Sequence, residues 1–453
     1  MKRGRNADET KDGNRTALSA VRGLVETQSR RSQTVRQMQK PILENGEKTL
    51  KKTMLAHVIA LDPTVKQANA LARAAGCARF AYNWGLAEWE RQYKAGLNPT
   101  KAKIKRDFNA IKGTQFSWIY DSPKDANQGA LNDLGQAFSN FFGSCKATRK
   151  GRKMGYPRFR RKGQNDSFYV SNDMFSFHKV EALVRLPVIG PIRIRERLRL
   201  KGRILSGRVR HRAGRWYLAV QVEGGFSRES MPIRPIIGVD LGLKTAVVTS
   251  EGEMIEAPKP LGAALAKLCR ANRILHRRKK GSRNRKKATI RLARIHQRVA
   301  NIRRDFMQKV TTKLCCENQA VVIEDLNVAG MLRNHRLARA MSDVGFGMFR
   351  RFLEYKGPLF GCQIVVADRW FPSSKRCSSC GNVKQTLALS DREYVCEECG
   401  VVEDRDINAA LNLATYPWLT GNATPMKRPA DTPVWASGLA EVGTKPCLLA
   451  GTL

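Results

Sequence analysis

Residues 376 to 413, RCSSCGNVKQTLALSDREYVCEECGVVEDRDINAALNL, carry four cysteines in the pattern C-x2-C-x15-C-x2-C: Cys377, Cys380, Cys396 and Cys399. Two pairs with two-residue gaps are the spacing of two tight turns facing each other around a tetrahedral zinc ion. Four thiolates close the coordination sphere, so the expected zinc is structural and any chemistry must lie elsewhere. The other cysteines (Cys77, Cys145, Cys269, Cys315, Cys316, Cys362 and Cys447) have no pairing rhythm, and the odd total of 11 argues against a disulfide framework. The first 50 residues are polar and basic without an apolar signal region, so a reducing cytoplasm is expected.

The charge balance says what such a chain meets. Its 82 Lys and Arg against 39 Asp and Glu give a formal charge of +43, far beyond what solubility requires, and the expected partner is a polyanion with a long footprint. Nucleic acid comes first. A membrane is not expected, because no apolar run approaches the ~20 residues of a spanning helix. A basic protein of ribosomal type, without chemistry, is the plain alternative. At 453 residues, two or three domains are expected.

Along the chain, residues 1–50 read as a flexible basic extension, since no apolar period is sustained there. A short strand ends at Asp62-Pro63. An amphipathic helix pair then follows, with Leu71, Ala75, Ala78, Tyr82, Leu86 and Trp89 at helical spacing. A second helical block opens after Ser122-Pro123 and puts Leu131, Leu134, Phe138 and Phe141 on one face, which makes a small bundle over 64–148. The basic stretch RKGRKMGYPRFRRKGQNDSFYV interleaves charge with Tyr156, Phe159, Phe168 and Tyr169, as backbone tracking with base stacking would require, or as a basic linker with core aromatics. Alternating stretches turning at Gly then suggest antiparallel strands, an all-β module with the bundle inserted after its first strand. Residues 270–313 hold 17 Lys or Arg against one acid, Asp305. Ile295, Val299, Ile302, Phe306 and Val310 recur among them as the apolar seam of a basic helix.

Three acids stand out because each ends an apolar run or opens a helix. Asp240 follows Ile236, Ile237 and Val239; Glu324 follows Val321, Val322 and Ile323; Asp406 begins the helix INAALNL. A carboxylate at the end of a buried strand is costly unless something positive or hydrogen-bonding receives it. A pair of Mg²⁺ ions would do so, and two-metal phosphodiester hydrolysis uses such a set. Singly, each acid has an ordinary alternative: a turn residue, a strand-end ion pair and a helix N-terminal charge. The stretch GVDLGLKT is also compatible with phosphate-binding turns of sugar kinase and chaperone ATPase folds. The charge and the cysteine pattern favour the nucleic-acid reading.

The ordered set GVDLGLKT, VVIEDLNVAGM, FPSSKRCSSCG, CEECG and DRDINAALNL, with GCARFAYNWGL, LGQAFSNFF and KMGYPRFRRK upstream, resembles the transposon-encoded TnpB proteins, relatives of the compact type V CRISPR effectors. The likeness runs from about residue 52 to 415. It implies an α+β multidomain fold: a wedge-type β-barrel (51–63 and 149–230), a helical recognition insert (64–148), a RuvC-like nuclease domain of RNase H type (231–370 and 403–415), an inserted zinc ribbon (371–402) and a flexible tail (416–453). It further implies an RNA-guided, Mg²⁺-dependent DNA endonuclease that cuts double-stranded DNA beside a short adjacent motif, with Asp240, Glu324 and Asp406 catalytic and Asp325 and Asp404 not. One protein per guide RNA, in the cytoplasm or nucleoid of a prokaryote, goes with that picture. Lys124, Gln128, Ser171 and Asn172 match positions that read the motif, and Arg277, Arg278, Lys279 and Lys280 are candidates for holding nucleic acid. The alternatives within the same fold are a guide-dependent repressor that binds without cutting, whose known relatives lose one or more of the acids, and a compact type V CRISPR effector.

Overall fold

The computed structural model describes residues 53–146, 153–178, 180–224, 234–335, 337–388 and 390–420. The expectations for residues 1–50 and for most of the tail lie outside them. Among the described residues no helix is long and apolar enough to cross a membrane.

The N-terminal half is a helical insert on an antiparallel sheet. Strand β1 (Thr53–Asp62) leads into α1 (Val65–Lys94), whose start is set by a reciprocal cap: the Gln67 N–H donates to Thr64 Oγ1 and the Thr64 N–H donates to Gln67 Oε1. The expected helix pair is one 30-residue helix. Its buried positions, Leu71 through Leu86 to Trp89, keep a three- and four-residue rhythm without interruption, so nothing in the chain forces a break. Helix α2 (Lys101–Gln115) was not expected, because only Ile104 and Phe108 of its Lys-rich surface are buried. Helix α3 (Lys124–Cys145) packs Leu131, Leu134 and Phe138 against α1, where Trp89 and Phe138 stack with ring centroids 4.0 Å apart.

Strands β2 (Ser167–Ser171), β3 (Ser176–Phe177), β4 (Leu183–Leu186), β5 (Gly190–Ile194), β6 (Arg203–Arg212) and β7 (Arg215–Gly224) join β1 in one seven-stranded sheet of order β2-β6-β7-β1-β5-β4-β3. The long β1 pairs β7 through Ala60 and then β5 from Leu61, so it links the two wings of the sheet. A charged seam ties bundle to sheet: Asp133 of α3 accepts from Arg208 of β6 at 2.9 and 3.0 Å and from Arg160 at 3.1 Å, and Arg160 lies over the Tyr82 ring at 3.8 Å. These two guanidiniums outweigh the burial of Asp133 and hold its carboxyl below the usual range.

The C-terminal half has a mixed five-stranded sheet. Strands β8 (Ile236–Asp240), β9 (Val247–Thr249) and β10 (Met254–Ile255) form an antiparallel run; β11 (Ala320–Glu324) and β12 (Gln363–Ala367) continue it in parallel with β8, giving the order β10-β9-β8-β11-β12. The near-continuous apolar sequence of β8 and β11 follows from this, since a parallel strand is covered on both faces. One cover comes from α5 (Arg283–Glu317) and α8 (Phe346–Phe360). The basic stretch is two helices: α4 (Pro260–Arg277) ends at a turn over 278–282 before α5 begins, and Arg285 Nη1 closes that turn on the carbonyls of Leu275 and Arg278. Along α5, Val299, Met307 and Val310 are buried whereas Ile302 is 38 % exposed, so the apolar seam drifts to Met307. Buried Arg234 staples the far ends of α5 and α8 through the carbonyls of Cys315, Phe360 and Gly361.

Short helices α6 (Val328–Met331) and α7 (Ala338–Val344) connect β11 to α8. After β12 come the cysteine segment with β13 (Glu393–Val395) and β14 (Val402–Asp404), and then α9 (Arg405–Leu419). This last helix runs four residues past the expected end at 415, because Tyr416 is buried and packs on Phe371 at 4.8 Å between ring centroids.

Candidate active site and cysteine cluster

Side chains alternate across a strand, so Ile236, Gly238 and Asp240 share one face of β8, and Val322 and Glu324 share the matching face of β11. The parallel register pairs Val239 with Ile323, which puts Asp240 and Glu324 side by side one residue further on, about 4.8 Å apart across the ladder. Helix α9 covers that same face: Val322 packs with Leu413 and Tyr416, and a Cβ on Gly238 would lie 1.9 Å from the Ala410 carbonyl oxygen. Glycine here is needed for close approach. It lets α9 lie directly on the strand, and the first turn of α9 then delivers Asp406 to the same end of the sheet as the other two carboxylates.

The electrostatics register that convergence. Burial, then the charges of Glu324 and Asp406, push the Asp240 carboxyl up to about 7, although its backbone partner Leu241 and the charge of Arg405 act in the opposite sense. Glu324 is held from one side by the hydroxyl of buried Ser373, which donates to Oε1. The neighbouring acids have other tasks. Asp404 caps α9 by accepting from the N–H groups of Asp406 (2.9 Å) and Ile407 (3.1 Å), and Asp325 is clamped between Arg350 and Arg369. Three convergent carboxylates with one raised proton affinity form the kind of all-oxygen donor set that suits a hard divalent cation.

The four cysteines come together as expected from their spacing. Their sulfurs lie within 4.8 Å of one another, with Cys377–Cys399 at 3.7 Å and Cys380–Cys396 at 3.5 Å. A tetrahedron with metal–sulfur bonds of ~2.3 Å has an edge of about 3.8 Å, so the cluster fits zinc. Both halves repeat one turn: the Gly381 N–H donates to the Cys377 carbonyl and the Gly400 N–H to the Cys396 carbonyl, each at 3.0 Å. Gly381 (φ +83°) and Gly400 (φ +67°) stand in the left-handed region these turns need. The Cys399 and Glu398 N–H groups draw the Cys396 thiol down to about 7 against burial, whereas at Cys380 the Asn382 N–H is outweighed by burial and the hydrogen bonds of the other three sulfurs, which push that thiol up to about 12.

A feature not read from the sequence joins this cluster to the acids. Asn408 and Asn412, both buried on α9, bind the segment leading into the first cysteine turn: Asn408 Oδ1 accepts from the Ser378 N–H, and Asn412 Nδ2 donates to the carbonyls of Ser373 and Arg376. Two asparagines at i and i+4 in an otherwise apolar helix are a usable signal, but their partners are visible only once the chain is folded.

The remaining candidates fall in two places. Lys124 is exposed at the start of α3 and Gln128 is half-buried one turn on; between them Asp125 accepts from the Ser171 N–H at 2.7 Å and from its hydroxyl at 2.5 Å, which docks this end of α3 on the end of β2, where Asn172 follows. Arg277, Arg278, Lys279 and Lys280 are exposed at the end of α4 and in the turn before α5.

Three family descriptions match this chain: "Helix-turn-helix domain" over 54–98, "Probable transposase" over 220–335, and "Cas12f1-like, TNB domain" over 346–413. Within 54–98 the structure has a strand and one long helix. A Streptomyces pristinaespiralis protein named "Putative RNA-guided DNA endonuclease" is 36 % identical over 360 residues, 78 % of this chain and 86 % of that one. A namesake from Escherichia coli K12 is 30 % identical, covering 80 % of this chain and 92 % of its own. Among solved structures, a Cas12f1 complex with guide RNA and target DNA aligns with 77 % of this chain and 82 % of its own at a TM-score of 0.46 and 14 % identity.

Proposed function

The chain belongs to the TnpB family of RNA-guided DNA endonucleases, and we propose that it cuts double-stranded DNA selected by a transposon-end guide RNA beside a short adjacent motif. The observation that carries the proposal is the convergence of Asp240, Glu324 and Asp406 on one end of the sheet, where burial and then the charges of the other two acids raise Asp240 to about 7. The order β10-β9-β8-β11-β12, antiparallel then parallel, supports reading this half as an RNase H-like, RuvC-type nuclease domain. The seven-stranded sheet with its helical insert is read as the wedge and recognition parts, and the cysteine segment as a zinc ribbon inserted before the last acid.

The three carboxylates would hold Mg²⁺. Bound there, the ions would supply an activated water and stabilise the leaving oxygen in phosphodiester hydrolysis. The protein's own part is positional. Asp240 would give up its proton to serve as a ligand, while Ser373 holds Glu324 and Asp404 caps the first turn of α9 that carries Asp406. Guide pairing reads most of the target, which leaves the protein a backbone-binding role that its charge of +43 suits. Lys124, Gln128, Ser171 and Asn172 would read the adjacent motif, and Arg277 to Lys280 would bind phosphates.

The test is to purify the chain from cells that carry its flanking DNA, sequence the RNA that copurifies, and challenge the complex with a target library randomised beside the matched site in Mg²⁺. A discrete RNA and depletion of one motif class are expected. Motif-specific binding without depletion would replace this reading by the repressor; no bound RNA would leave an unguided nuclease.

A further inference from the structure

Between β12 and the first cysteine lies a four-residue turn, Asp368 to Phe371, held at every position but one. The Asp368 N–H donates to the Tyr416 hydroxyl at 3.0 Å, and its carboxylate accepts from the Trp370 N–H at 2.8 Å. Arg369 Nε donates to the Asp325 carbonyl at 3.3 Å and Nη2 to its carboxylate at 2.5 Å. Phe371 packs edge-on against Tyr416. The exception is the Trp370 side chain, which is 85 % exposed and makes no ring contact among the described residues.

The turn sits beside the carboxylates. Ala367 pairs with Glu324 in the β11–β12 ladder, Arg369 is bonded to the residue after Glu324, and Ser373, three residues beyond Trp370, donates to Glu324 itself. Leaving a whole indole in water forgoes the burial that usually stabilises it, and here a rigid turn enforces that exposure. The hydrogen-bonded turn fixes where the indole is presented, so a base stacking on it meets a backbone that is already ordered. In a chain of charge +43 the planar partner with a matching backbone is a nucleic-acid base. Of the other exposed aromatics, Tyr93, Trp118, Tyr120, Phe142, Tyr156 and Phe159 lie in the N-terminal half, and Tyr355 on α8 donates its hydroxyl to Gln308.

We propose that Trp370 is a stacking platform for one base of the single-stranded DNA that enters the carboxylate site, and so sets the register of the cut. The inference rests on the nuclease reading above, and it assigns a substrate contact which that reading does not need. Trp370 acts by touching the base next to the scissile phosphate, with no part in proton or metal chemistry.

The experiment uses the full chain bound to its guide RNA, as wild type, Trp370→Ala and Trp370→Phe. An unpaired oligonucleotide carrying 2-aminopurine at successive positions reports stacking by fluorescence quenching, in an Asp240→Ala background that prevents cutting. Cleavage rates of the matched target are measured in the background with Asp240 intact. One quenched position is expected, lost in Trp370→Ala and kept in Trp370→Phe. Oligonucleotide affinity should weaken roughly 5- to 150-fold in Trp370→Ala, the equivalent of about 1–3 kcal/mol per stacked base. Its cuts should scatter over neighbouring phosphates while target opening is unchanged. Equal quenching, affinity and cut pattern in wild type and Trp370→Ala would overturn the proposal, as would equal losses in both variants. A complex that binds guide RNA but never cuts would overturn the nuclease reading, and quenching would still decide the stacking.

Discussion

Gly238→Ala tests the geometry of the site without touching a carboxylate. The new Cβ would stand 1.9 Å from the Ala410 carbonyl oxygen and 2.4 Å from the Ala414 nitrogen, both backbone atoms of α9 that no rotamer change can move. Real Cβ contacts do not fall below 3.0 Å, so the helix must retreat by at least 1.1 Å. Overpacking of this kind costs about 1–3 kcal/mol, which a chain of this size survives. Its effect on chemistry is larger: displacing a catalytic group by about 1 Å costs on the order of 100-fold in rate. Asp406 rides on the first turn of α9, so it moves with the helix. The assay is single-turnover cleavage of a guide-matched target, with bound guide RNA, zinc content and melting temperature as controls. Cleavage should fall about 100-fold with RNA and zinc retained. Cutting within threefold of wild type would refute the argument that α9 places Asp406 by direct contact with β8.

Three further outcomes follow from the same contacts. Because the Asp240 carboxyl is raised from 3.8 to about 7, the metal-free folded chain binds a proton that the unfolded chain has released. Its stability therefore falls as pH rises between those values, by at most roughly 4 kcal/mol, and is level above them. Urea unfolding in EDTA from pH 5 to 8 should show this slope, and Asp240→Asn should flatten it. Replacing Cys377 and Cys396 by Ser should abolish zinc binding and lower the melting temperature of the C-terminal half by at least about 5 °C, as measured by metal analysis and calorimetry. Asn412→Leu leaves the buried Ser373 carbonyl without this donor, whereas the Arg376 carbonyl keeps Asn408 Nδ2, and it should destabilise the same half by about 1–3 kcal/mol in urea, with zinc still bound.

What the sequence made legible were features whose physics is local. Two-residue gaps between cysteines dictate a turn, and the turns met. Apolar runs ending in Asp240 and Glu324 are parallel strands covered on both faces, and a strand period puts both acids on one side. The cap at Asp404 was hidden, because two aspartates separated by one residue look alike until the backbone shows which accepts from the N–H groups of α9. The expected helix pair is a single α1, in which Gly85 is buried against α3 without interrupting the helix. Helix α2 escaped because two buried residues in fifteen give no period to see. The asparagine tether to the cysteine turn, and the turn that displays Trp370, depend on partners 30 to 50 residues away.

The central claim is that Asp240, Glu324 and Asp406 together cut DNA that the guide has selected. Its most direct measurement compares binding and cleavage of one matched target by the guide-loaded wild type and by Asp240→Ala, Glu324→Ala and Asp406→Ala in Mg²⁺. Each variant is expected to bind the target as tightly as wild type while its cleavage rate drops by more than about 100-fold, since losing a ligand costs more than losing a group that only orients one. A variant that still cuts at the wild-type rate would remove that carboxylate from the site and contradict the account.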